Sequence, residues 1–219
     1  MERKRMARLV LIWIFIGIWS IMGQAFAAPP DNYTARMVMR EMAMPMARMG
    51  HKMRVENPMM QGMVTIHLTD EKKMMMMSTA NKTYMEQALQ EETRTPSLDD
   101  PRVVIEKKKI GSETIDGHPC IKYDAVFYLK DKPAEKYKAT LWEAQDLGGL
   151  VIRNETIVPE NMRKGGEGKM VTELKDIKVG AANASMFEVP QGYRKVNNMM
   201  ELMGGMGGME EMMKQRKKK

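Results

Sequence analysis

From Tyr33 to about Val179 apolar and polar side chains alternate with period two, the mark of strands that bury one face. Tyr33, Ala35, Met37 and Met39 alternate with Thr34, Arg36, Val38 and Arg40. Further on, Met49, His51, Met53 and Val55 alternate with Arg48, Gly50, Lys52, Arg54 and Glu56. Between these runs, Met44-Pro45-Met46 predicts a turn or sharp bend at the proline. The change of methionine parity from Met39 to Met42 predicts a bulge or a strand end. Val64, Ile66 and Leu68 share one face of a third strand. The run Met74-Met75-Met76-Met77 follows, and a strand must send two of these side chains to each side. Thr83 and Glu86 have capping-box spacing, and Tyr84, Met85, Ala88 and Leu89 share a helical side, so a short helix is predicted from Thr83 to Gln90.

Beyond the polar stretch 90–100, strands are predicted over Arg102 to Lys109 and on through Ile115. Asp116-Gly117 is a strong hairpin signal. Ile121, Tyr123, Ala125, Phe127 and Leu129 form the next apolar face, followed by Tyr137, Ala139 and Leu141. Gly148-Gly149 precedes a strand over Leu150 to Val158, and a loop rich in glycine and charge leads to the last, Met170 to Val179. Nine or ten strands joined by short turns imply an antiparallel meander. The predicted class is mainly β (α+β): one strongly curved sheet, an open half-barrel, with one or two short covering helices.

Composition changes this picture in one respect. Of 219 residues 28 are methionine and only 4 phenylalanine, so thioethers fill positions that branched or aromatic side chains usually take. Methionine is flexible and polarisable, which suits an adaptable apolar surface, and its sulfur also ligates soft metals such as Cu(I). Both readings stay open.

Arg3, Lys4, Arg5 and Arg8, the apolar run Leu9 to Met22, and Ala25-Phe26-Ala27 have the order of a secretory signal peptide cleaved before Ala28. The expected organisation is a signal peptide over 1–27, a domain over 28–196, and a methionine- and glycine-rich basic tail over 197–219. The net charge of +7 comes from the two ends. Residues 28–219 hold 31 basic and 27 acidic groups, and Lys214, Arg216, Lys217, Lys218 and Lys219 supply five of the basic ones. The body is therefore near neutral, which argues against a nucleic-acid-binding surface. The basic tail is a candidate contact for anionic membrane surface or for an envelope protein. Met199, Leu202, Met203, Met206, Met209 and Met213 make a helical stripe there, weakened by Gly204, Gly205, Gly207 and Gly208.

Catalytic chemistry has little support. His51, His67 and His118 lie apart, and neither a Gly-x-Ser-x-Gly elbow nor a His-Glu-x-x-His or phosphate-loop pattern occurs. His118 and Cys120 are a weak nucleophile–base pair, better read as structural after the Asp116-Gly117 turn. Cys120, the lone cysteine, has no intramolecular disulfide partner. His51 among Met49 and Met53 is either an edge histidine or a metal marker. No catalytic, metal or cofactor site is expected, and an enzyme is not.

Three segments carry a resemblance. Gly111 to Tyr123, Trp142 to Arg153 and Ser185 to Tyr193, together with Lys82-Thr83-Tyr84-Met85, resemble a family of exported bacterial proteins known only as a domain of unknown function. That family is similar to periplasmic lipoprotein carriers of the LolA type and to LppX/LprG-like lipid-binding proteins. The resemblance implies an open half-barrel under covering helices, with acyl chains held in its concavity. The expected function is therefore periplasmic, non-enzymatic binding of a lipid or lipoprotein acyl chain. The expected lining is Met37, Met39, Met49, Met53, Val64, Ile66, Leu68, Tyr123 and Phe127. The alternatives are periplasmic Cu(I) binding or oxidant scavenging by methionine, and a structural partner in an envelope complex.

Overall fold

The computed structural model describes residues 28–60, 62–89, 98, 102–157 and 168–205. The expected signal peptide and the stripe beyond Gly205 lie outside them. The strands are β1 (Asn32–Met39), β2 (Met42–Met49), β3 (Lys52–Asn57), β4 (Met63–Leu68), β5 (Lys73–Ser78), β6 (Thr83–Ala88), β7 (Val103–Ile115), β8 (His118–Leu129), β9 (Tyr137–Ala144), β10 (Leu150–Ile157), β11 (Lys169–Val179) and β12 (Arg194–Lys195). They form one twelve-stranded sheet in the order β12-β6-β5-β4-β3-β2-β1-β11-β10-β9-β8-β7. The sheet is open: β7 is one edge, and β12, paired parallel to β6, is the other. The chain starts mid-sheet, meanders outward to β6, restarts at the far edge with β7, and meanders back until β11 pairs with β1. This is the mainly β, open curved architecture that the alternation predicts.

Two-residue turns set the register. Met39 pairs with Met42 around Arg40-Glu41, so the parity change there is a strand end. Asp116 and Gly117 both have positive φ, as their hairpin requires. Pro45, expected in a turn, lies inside β2. Proline is tolerated in a strand where no partner needs its N–H, and β3 pairs with β2 only from Met46 onward.

The helix expected from Thr83 to Gln90 is strand β6. Ser78 pairs with Thr83, Met77 with Tyr84, Met76 with Met85 and Met75 with Glu86. Thr83 caps no helix, because its Oγ1 donates to the Leu202 carbonyl at 2.9 Å. An amphipathic segment this short fits either period, and the unpaired edge of β5 decides for the strand. The short helical elements come later: a 3-10 turn at Ala184–Phe187 and a four-residue helix α1 at Met199–Leu202. Asn198 caps α1, accepting the Glu201 N–H at 2.9 Å. Leu202 is fully buried, so the start of the expected tail is docked on the sheet.

Candidate functional site

Cross-strand partners in a sheet point to the same side, so the register sorts every strand residue by face. On one face of β1–β6 lie Met37, Met39, Met42, Met44, Met46, Met53, Met63, Met74, Met76 and Met85. Only Met49, Met75 and Met77 from these strands take the other face. The methionine run divides as expected, with Met74 and Met76 on the rich face and Met75 and Met77 opposite. The rich face continues into the second half of the sheet through the ladder Met42–Met39–Thr172–Asn154–Leu141–Tyr123.

Of the nine expected lining residues, Met37, Met39, Met53, Tyr123 and Phe127 share this methionine face. Met49, Val64, Ile66 and Leu68 point to the other side. Met49 and Met53 read as one face only if the chain runs straight between them. Gly50, with φ +58, and His51 form a hairpin turn instead, and Met49 pairs with Lys52 while Met53 pairs with Arg48. His51 sits exposed at that turn.

The opposite face is covered. Residues 180–193 cross it as a strap, with Ala182, Met186, Phe187, Val189 and Tyr193 packed on Ala47, Val64, Ile66, Leu68, Met75 and Met77. Ile66 and Met77, at 0% and 1% exposed, are core beneath the strap. The strap's start is pinned by Asn32, whose side-chain amide donates to and accepts from Ala182 at 3.0 Å each. Beside the strap lies a groove of about 710 Å³ lined by Thr34, Arg36, Pro45, Ala47, Arg54, Glu56, Lys178, Ser185, Met186 and Pro190. Its guanidinium groups are engaged: Arg36 bonds Asp176, and Arg54 bonds Glu56 at 3.0 Å and the Met186 carbonyl at 3.0 Å. The groove combines charged side chains with apolar ones, Ala35, Met46 and Met186 among them.

The methionine face is capped only in part. At the β6 edge, Leu202 and Val196 pack on Met63 and Met85, with Met76 alongside. At the far edge, Leu98 joins Phe127, Ala125, Ala139, Leu141 and Tyr137. Between these ends Met37, Met39, Met42, Met53 and Met74 are half-buried.

Two of the segments carrying the family resemblance, Gly111 to Tyr123 and Trp142 to Arg153, meet in one place. His118 Nδ1 lies 2.7 Å from Asp146 Oδ2, the Gln145 N–H donates to the Pro119 carbonyl at 2.9 Å, and the Trp142 indole N–H donates to Glu113. Lys122 and Arg153 lie over the Trp142 ring at 4.7 and 4.9 Å. Cys120 is buried, its thiol donates to the His118 carbonyl at 3.3 Å, and burial pushes its pKa up. A raised pKa disfavours the thiolate, and the nearby imidazole is engaged by Asp146, so this cluster is built as a clamp between two turns. Among the described residues no group of three or more His, Cys, Asp or Glu side chains is placed to hold a metal.

Residues 26–151 match the family model described as Domain of unknown function (DUF4412). The chain belongs to this family. The match runs from just before β1 to the start of β10, so it includes the methionine face of β1–β6 and the Trp142 clamp apart from Arg153, and it ends before the strap. No curated protein matches the chain. Among solved structures, this DUF4412 protein is similar to PNGF-II at 13% identity and TM-score 0.39, covering 79% of this chain and 32% of that one. It thus spans about a third of that protein's length. It is also similar to lipoprotein LppX of Mycobacterium tuberculosis, at 14% identity and TM-score 0.42, covering 69% and 87% of the two chains. A LolA superfamily protein from Nitrosomonas europaea is similar at 10% identity and TM-score 0.31, over 75% and 91%.

Proposed function

We propose that this protein is an exported, non-enzymatic carrier or binding protein that holds a lipid or lipoprotein acyl chain against its methionine face. Residues 1–27 direct export to the periplasm, residues 28–196 form the binding domain, and the basic end of 197–219 contacts an envelope surface. The observation that carries the reading is the sorting of ten methionines to one face, where Met37, Met39, Met42, Met53 and Met74 stay half-buried beside the buried Met44 and Met46. Buried alkyl surface is stabilised by about 0.8 kcal/mol per methylene removed from water. Unbranched thioether side chains re-form around a flexible chain more readily than branched ones. The Gly111, Trp142 and Ser185 segments resemble the family, and the similarity of that family to lipoprotein carriers points the same way.

Native mass spectrometry of the protein purified from its own periplasm tests this, with lipid adducts as the expected result. A lipid-free spectrum, together with no protection of the face by added lysophospholipid in hydrogen exchange, rules the reading out. It would favour a structural role within an envelope complex.

A further inference from the structure

Antiparallel neighbours send alternate turns to opposite ends of a sheet, and the two ends of this one differ in chemistry. The β1–β2, β3–β4, β5–β6 and β8–β9 turns lie at one end, and the β2–β3, β4–β5, β7–β8 and β9–β10 turns at the other. Among the described residues the first set has five exposed basic groups, Arg40, Lys82, Lys130, Lys132 and Lys136, against Glu41, Asp131 and Glu135. The second has four exposed acids, Asp70, Glu71, Asp116 and Asp146, against Lys72. One end is therefore net positive and the other net negative.

Exposed apolar side chains follow the same division. Met59 in the β3–β4 turn, Ile157 closing β10 and Met170 opening β11 all stand exposed at the basic end. Helix α1, with Met199 and Met200 exposed, is fastened there too, because Asn81 and Thr83 both donate to its Leu202 carbonyl. The acidic end has Val179 as its one exposed large apolar residue among those described.

We propose that the basic end docks on an anionic phospholipid surface, with Met59, Ile157 and Met170 reaching into the headgroup layer. These side chains sit in separate turns, and a bilayer accepts scattered apolar groups, whereas a protein partner is marked by one contiguous patch. Binding of this kind adds buried apolar area to attraction for anionic lipid, and each basic residue near the surface contributes about fivefold in affinity. Met39 and Met42 form the last pair of the methionine face at this end. End-on docking sets that pair beside the bilayer, where an acyl chain would enter. The entry route rests on the carrier reading; the docking does not.

The test is co-sedimentation of the exported chain, residues 28–219, with vesicles of phosphatidylglycerol and phosphatidylethanolamine, against neutral phosphatidylcholine vesicles. Binding to the anionic vesicles, weakened by salt, is expected. Lys132→Gln with Lys136→Gln should reduce it roughly tenfold or more. Lys108→Gln with Lys109→Gln makes the same charge change within β7, about 16 Å or more from the Val103 end of that strand. That distance exceeds the screening length of about 8 Å, so this pair should bind like wild type. Met59 and Val179 are equally exposed, at 59% and 58%, at opposite ends. Brominated lipid should quench the added fluorescence of Met59→Trp and leave that of Val179→Trp unchanged. No binding to anionic vesicles, equal affinities of the two lysine pairs, or equal quenching in the two tryptophan variants overturns the proposal. Binding by the basic tail alone would give those equal affinities. Lipid adducts without vesicle binding would sink the docking and leave the carrier reading standing, and vesicle binding without lipid adducts would do the reverse.

Discussion

The two halves of this sheet are built from different materials. Strands β1–β6 run six to eight residues and fill their faces with thioethers, with Tyr33 and Tyr84 as their only aromatics. Strands β7–β11 run up to thirteen residues and contain Met170 as their single methionine. Their core instead has Phe127 stacked on Tyr137 at 5.3 Å between centroids, and Trp142 held between Lys122 and Arg153. Ion pairs tie this half together, among them Lys107–Glu143 at 2.5 Å and Arg153–Glu155 at 2.8 Å. Burial raises Glu155, but hydrogen bonds from Lys169 and Arg153 outweigh it and hold the carboxyl below its usual range. Aromatic rings and anchored charges specify one packing arrangement, whereas methionine specifies a tight core poorly. One half is therefore a scaffold and the other a deformable surface, although both belong to one continuous ladder of hydrogen bonds.

This contrast predicts unequal responses to core truncation. Phe127→Ala should cost about 3–5 kcal/mol, because a buried, stacked ring leaves a cavity that the rigid half cannot close. Chemical denaturation measures this directly, and a cost below that of truncating a half-buried methionine would erase the distinction. Met37→Leu with Met39→Leu should cost less than about 1.5 kcal/mol, since volume is conserved, while weakening any acyl-chain binding that depends on thioether flexibility. Unchanged lipid retention in that double variant would leave the face as ordinary core.

A smaller effect probes how the deformable half is closed. Thr83→Val removes the hydroxyl that donates to the Leu202 carbonyl, and Asn81 still donates there at 3.2 Å. The expected loss is about 1 kcal/mol, with faster hydrogen exchange confined to α1 and β6. The smallest concerns the edge pair Glu86–Lys195, whose nitrogen and oxygen lie 2.5 Å apart. The hydrogen bond from Lys195 lowers the Glu86 pKa, and the same bond raises that of Lys195. A lowered carboxyl contributes stability that is present above its unfolded value near pH ~4.3 and is lost as pH falls through the folded value. The raised ammonium contributes below its unfolded value near pH ~10.4 and loses that contribution as pH rises through the folded one. Lys195→Ala should therefore differ from wild type at pH 7 and converge with it in acid. The difference is small because the pair is solvated.

The strands were legible because each buries one side, and period two records that directly. The predicted boundaries at Asp116-Gly117 and Gly148-Gly149 stand for the same local reason. The Thr83 segment misled because six residues fit two periods, and its partner, the open edge of β5, comes from outside the segment. Pro45 misled in the opposite direction: its effect depends on whether a neighbour needs its N–H, which is a property of β3. Of the candidate site, the alternation within β1 and β4 was readable, but the relation between their faces was not. Met49 and Met53 changed sides through a single hairpin turn.

What the amino-acid order determined by itself is the local content: half-buried strands, tight turns, an excess of thioethers, and no recognised catalytic constellation. Those properties depend on neighbours within a few residues. The tertiary structure alone decided that ten methionines share a face, because hairpin turns fix the parity of each strand against the next. It also decided that Val64, Ile66 and Leu68 are sealed while Met37 and Met39 are not. That outcome rests on a strap from residues 180–193 returning across the opposite face, pinned by the contact between Asn32 and Ala182, 150 residues apart. Which side of a half-apolar strand is left open depends on what the rest of the chain lays over it.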